Sequence, residues 1–140
     1  MNAQQVTLVQ SSWEKVKPLG QAAGELFYSK LFQAAPGIRH MFQPDMGPQA
    51  GKLVHMLNFV VTSLHRLDTL QDDIRKLAVR HAGYAAEPAH YAVVGQCLIA
   101  TLQEALDTEW NDELQQAWTV AYTILSQAMI NAQQEVAERA

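Results

Sequence analysis

The chain has 140 residues, one cysteine and a formal net charge of −4, with 49% apolar and 17% charged residues. That size and balance fit one domain spanning 1–140 and exclude a disordered chain, a disulfide framework and a zinc site built from several cysteines. Lysine and arginine are scattered rather than gathered in the basic stripe that nucleic-acid binding needs, and no apolar run is long enough to read as a membrane span. The opening MNAQQV has neither the basic start nor the apolar core of a secretory signal, so the expected location is the cytoplasm.

Asn2, with Gln5 three residues on, predicts a helix start, and Val6, Val9, Trp13 and Val16 form an apolar stripe that ends at Pro18. A second helix is expected from Leu19 or Gly20, turning Ala22, Ala23, Leu26, Phe27, Leu31 and Ala34 inward until Pro36 stops it. Residues 36–41 read as a short helical turn before Phe42. A breaker-rich stretch, QPDMGP, comes next. Pro48 suits the first turn of a third helix, whose stripe of Leu53, Leu57, Val60, Leu64 and Leu67 runs to about Leu67.

From Leu70 to Arg80 the spacing of Leu70, Ile74 and Leu77 predicts another helix, with His81 continuing the apolar stripe and Asp72, Asp73, Arg75, Lys76 and Arg80 on the solvated side. An imidazole on an inward stripe is either a core histidine bonded to a backbone carbonyl or a ligand to a metal or haem iron. After a loop containing Pro88, a helix starting near His90 places Tyr91, Val94, Leu98, Leu102 and Ala105 on one face. The last and longest, starting after Thr108 or Asn111, buries Leu114, Trp118, Ala121, Leu125, Met129 and Ala132. Cys97 falls in an apolar helix and reads as a buried, inert thiol. No segment alternates with period two, so the expected class is all-α.

These features together resemble the globin family. The carriers are Pro36 with Phe42 six residues later, His81 thirty-nine residues beyond, Trp13, the runs Leu26-Phe27-Tyr28 and Leu31-Phe32, Ala117-Trp118 with Tyr122, and His90-Tyr91 with Val94-Gly95. The likeness covers nearly the whole chain and is greatest to the haem domain of flavohaemoglobins and related bacterial single-domain globins. It implies a 3-over-3 helical fold around haem b (iron protoporphyrin IX), His81 as the iron ligand, Phe42 stacked on the macrocycle, and Tyr91 on the proximal side. It also implies Tyr28, Gln49 and Leu53 as the distal residues, where a phenol O–H and an amide N–H can donate to a diatomic ligand carrying partial negative charge. Lys52 is expected to reach a haem propionate.

Helical geometry separates the other histidines from this site: His55 lies about 200° from Leu53 and His65 about 160° from Gln49 on the wheel. His40 and His90 read as structural or exposed, and Met56 as core. Two positions depart from the resemblance. Gln133 stands where the family's proximal glutamate would support the histidine, which removes an anionic acceptor. Ala85 stands in the loop after the proximal helix, where relatives often carry glycine. The chain has no Gly-rich nucleotide fingerprint, so no reductase domain is expected within it. The implied function is reversible binding of O2, NO and CO for oxygen binding, transport or scavenging. The alternative is NO dioxygenase or peroxidase-like chemistry fed by a separate NAD(P)H-dependent reductase; a gas sensor and a haem-free helical module rank below these.

Overall fold

The computed structural model describes residues 1–66, 74–76 and 88–139, and these are almost entirely helical, with no strand among them. Helix α1 (Ala3–Val16) starts where expected because Asn2 and Gln5 cap each other: the Asn2 side-chain oxygen accepts from the Gln5 N–H at 2.8 Å, and the Gln5 side chain accepts from the Asn2 N–H at 3.1 Å. A 3-10 turn, Lys17–Leu19, carries Pro18 and leads into α2 (Gly20–Ala34). Pro36 ends α2 by forcing Ala35 out of helical geometry (φ −138°, ψ 71°) and opens the 3-10 turn Pro36–Met41.

In α2 the inward stripe is narrower than expected. Phe27, Tyr28 and Leu31 are buried and Ala23 partly so, while Ala22 and Ala34 are exposed. Alanine is small enough for either face, so its position carries no directional signal. Helix α3 (Gly47–Thr62) is also shorter than the expected run to Leu67. The Thr62 hydroxyl donates to the Asn58 and Phe59 carbonyls, and Ser63 closes the helix through its N–H on the Val60 carbonyl at 3.1 Å; residues 64–66 then form a 3-10 turn.

Residues 74–76 are helical, with Ile74 packed on a cluster of Tyr91, Leu125, Met129 and Ala132 and with Arg75 and Lys76 exposed, as the expected faces require. The remainder of the expected 70–80 helix, together with His81, Ala85 and Leu67, lies outside the described residues. Helix α4 (Pro88–Leu106) begins two residues before the expected start near His90, because Pro88 occupies the first turn instead of merely ending the preceding segment. A 3-10 turn, Asp107–Glu109, connects it to α5 (Asp112–Arg139), where Asn111 accepts from the Leu114 N–H at 2.9 Å.

Helix α2 packs on α3 and α4, and α1 packs on α5, α3 and α4. At the centre Trp13 and Trp118 meet edge to face at 6.3 Å. Each indole N–H finds an acceptor, Trp13 on Asn58 at 3.0 Å and Trp118 on the Ser12 hydroxyl at 2.9 Å. These bonds let large rings be buried without an orphaned donor, and they tie α1 to α3 and α5. Cys97 is buried in the same core, and burial pushes its thiol up. Among the described residues no helix is long and apolar enough to cross a membrane.

Candidate functional site

The site begins with a close helix crossing. A Cβ added at Gly24 would stand 2.9 Å from the Ala50 carbonyl oxygen and 3.0 Å from the Ala50 Cβ, so glycine is what allows α2 and α3 to approach this far. Tyr28 lies one turn beyond Gly24, and Gln49 is next to Ala50. The crossing therefore brings the two side chains together: the Gln49 amide donates to the Tyr28 hydroxyl oxygen at 3.2 Å. A hydroxyl that accepts such a bond is polarised into a better donor.

Tyr28 and Gln49 face a cavity of about 200 Å³ that runs between α3 on one side and α4 and α5 on the other. Its walls include Phe42, Leu53, Leu57 and Val60 on the first side and Tyr91, Val94, Leu125 and Met129 on the second. Among the described residues, no carboxylate, lysine or arginine lines it. The aromatic wall is continuous, with Phe42 at 5.6 Å from Tyr28 and 5.3 Å from Phe32, both edge to face. Such a lining suits a largely apolar group with polar contact needed at a few points only.

On the α4–α5 side the Tyr91 hydroxyl donates to the Gln133 side-chain oxygen at 3.0 Å, while the Tyr122 hydroxyl donates to the Tyr91 carbonyl at 2.6 Å. Gly95 makes room for this: a Cβ there would fall 2.7 Å from the Tyr122 ring. Burial raises the pKa of Tyr91; for Tyr122 burial acts first and the neighbouring Tyr91 second, both upward. Nε2 of Gln133 is buried without a hydrogen-bond partner among the described residues. A buried donor left unmatched costs about 1–3 kcal/mol, so of the two ends of this amide only the oxygen, bonded to Tyr91, contributes to holding it.

Of the residues singled out from sequence, Tyr28, Phe42, Gln49, Leu53 and Tyr91 all line the cavity. Lys52 does not; it is exposed on α3. His40, His55 and His65 are exposed, in keeping with their exclusion. His90, expected to be structural or exposed, is half-buried and lines the cavity, as does Met56. The early start of α4 explains His90: with Pro88 already helical, His90 sits inside the first turn rather than opening it. Sequence reasoning missed Ile38 and Met41 in the wall, because a 3-10 turn lacks the periodicity that reveals an inward face.

The crossing helices of the described residues enclose an apolar cavity, with the Tyr28–Gln49 pair in its wall and Tyr91, bonded to Gln133, lining it from α4. The family model for globins matches residues 25–129, well over half the chain, and the chain belongs to the globin family. It is 25% identical over 134 residues to a flavohemoprotein of Vibrio cholerae, covering 94% of this chain and 34% of that one. It is 27% identical over 136 residues to neuroglobin-1 of Oncorhynchus mykiss, covering 87% of this chain and 86% of that one. The chain thus spans about a third of the length of the flavohemoproteins it matches.

Among solved structures, an engineered carbene transferase from Rhodothermus marinus superposes with a TM-score of 0.89 at 26% identity, covering 99% of this chain and 96% of that one. A bacterial globin from Campylobacter jejuni gives 0.87 at 19% identity, over 98% and 99%, and speaks to the fold alone. Family membership implies haem binding and, through the haem, binding of diatomic gases. The apolar slot and its few neutral polar groups fit such a group.

Proposed function

We propose that this chain holds haem b in the slot between α3 and the α4–α5 pair and binds O2, NO and CO reversibly, for oxygen binding, transport or scavenging. The single observation that supports it most is the Gln49–Tyr28 hydrogen bond inside an apolar cavity. When bound, the haem supplies an iron able to take a diatomic gas. The residues do the rest. Phe42 would pack against the haem, Leu53 would keep water from the gas-binding side, and His81 would supply the imidazole that holds the iron. Tyr28 and Gln49 direct an O–H and an N–H to a ligand of partial negative charge, and Lys52, exposed on α3, reaches a propionate.

A hydrogen bond to a charged acceptor contributes about 1.5–3 kcal/mol, and each 1.4 kcal/mol is about a factor of ten. Tyr28→Phe is therefore expected to speed oxygen release roughly tenfold to a hundredfold, read by stopped-flow displacement with CO. An unchanged release rate would remove Tyr28 from the distal role. Absorption spectra of ferric, ferrous, oxygenated and CO forms test the pocket itself, since a chain that gains no Soret band on adding haem has no such pocket.

Similarity to flavohemoproteins supports a second reading, NO dioxygenase or peroxidase-like chemistry with electrons from a separate NAD(P)H-dependent reductase. It ranks second because Tyr91 here meets a neutral amide, Gln133, which cannot act as an anionic acceptor behind the proximal imidazole. Sustained NO consumption with NADH and a reductase would reverse the order.

A further inference from the structure

Arg39 is not among the residues that line the cavity, yet it contacts the Phe32 ring beside Phe42 and the main chain from Phe42 to Pro44. Its guanidinium donates to three successive main-chain carbonyls: from Nη1 to Phe42 at 3.4 Å and Gln43 at 3.0 Å, and from Nη2 to Pro44 at 3.0 Å. Its Cζ also sits 4.9 Å from the centre of the Phe32 ring, which in turn meets the rings of Phe42 and Tyr28. The backbone adds one bond in the reverse sense, from the Phe42 N–H to the Arg39 carbonyl at 3.1 Å.

The segment 42–46 has no helical ladder to hold it, and Gln43, Pro44 and Asp45 are exposed. The start of α3 is tied down separately, by Asp45 accepting from the Gly47 N–H at 3.0 Å and Gln21 donating to the Gly47 carbonyl at 2.9 Å. Arg39 thus closes the gap between the 3-10 turn Pro36–Met41 and that anchored helix start. Its planar fork of donors is what makes the contact with three carbonyls feasible; an ammonium offers one point of charge and no plane to lay on Phe32.

We infer that Arg39 is a positioning residue for the pocket: it fixes the 42–44 turn and the Phe32 ring, and so holds Phe42 against the prosthetic group. The inference rests on the haem-pocket reading. Because the turn is exposed, water can replace the lost bonds, so the loss of Arg39 acts on where Phe42 sits more than on whether the chain folds.

Haem transfer to excess apomyoglobin, followed at the Soret band, tests this with wild type, Arg39→Ala, Arg39→Lys, Phe42→Leu and the Arg39→Ala/Phe42→Leu double variant, alongside thermal unfolding of each apoprotein. The expected result is about tenfold faster transfer for Arg39→Ala. Arg39→Lys recovers little of this, and Arg39→Ala adds nothing once Phe42 is leucine. Apoprotein melting should be nearly unchanged; should Arg39→Ala not fold, Arg39→Lys carries the comparison. Unchanged transfer, or effects of the two substitutions that simply add, would overturn the role of Arg39 while leaving the pocket intact. A wild-type chain that retains no haem would overturn both.

Discussion

At the scale of single residues, Gln133 is one of the two positions read as departing from the family pattern, and its surroundings give that expectation a measurable form. Tyr91 donates to its oxygen, and the amide nitrogen is buried with no acceptor among the described residues. Gln133→Glu would convert that acceptor to an anion and remove the orphaned donor. The ferrous iron–histidine stretching band, measured by resonance Raman, is then expected to move to higher frequency as the proximal imidazole becomes more electron-rich. A band that stays in place would show that Tyr91 and residue 133 do not act on the iron ligand. The resemblance singles out Gln133, but its unmatched nitrogen is not legible in the sequence, since satisfaction of a donor depends on every atom around it.

At the scale of helices, the α2–α3 crossing decides whether the distal pair exists. Gly24 and Ala50 are small residues on separate helices, and nothing in either periodicity says that they touch. Gly24→Ala places a methyl 2.9 Å from a backbone oxygen, which cannot rotate away, so the helices must separate. The expected cost is about 1–3 kcal/mol in urea unfolding. Faster oxygen release should accompany it, because the Gln49–Tyr28 bond stretches with the crossing. Equal oxygen kinetics in a clearly destabilised variant would separate packing from ligand stabilisation. The same contrast between local and long-range information explains the helix ends. Asn2, Pro36 and Asn111 marked true boundaries through capping or ring geometry, whereas the end of α3 at Thr62 has no capping residue or proline beside it to mark it in the sequence.

At the scale of the molecule, a buried tyrosine, Tyr91, and a half-buried one, Tyr122, couple the seam between α4 and α5 to pH. Tyr91 and Tyr122 have folded-state pKa values raised above the ordinary 10.0, chiefly by burial. The folded chain then holds protons that the unfolded chain releases, so their contribution to stability is complete below about pH 10 and is lost as pH rises through the folded-state values. Urea midpoints should accordingly fall as pH is raised above about 10, with a shallower fall in Tyr122→Phe. Parallel slopes in the two proteins would show that Tyr122 plays no part in alkaline unfolding.

The sequence by itself determined the helical class, the inward stripes of α1, α4 and α5, and the residue types available to a pocket: Tyr28, Phe42, Gln49, Leu53 and Tyr91. The class and the stripes depend on periodicity and caps, which act within a few turns of chain; the five pocket positions came from the resemblance to globins. Only the tertiary structure decided that Gln49 meets Tyr28, that Tyr91 meets Gln133, that His90 lines the cavity, and that Arg39 spans the turn behind Phe42. Each of those contacts joins atoms whose separation is set by how helices cross or by how a non-periodic turn closes, and neither is written in the spacing of any one segment.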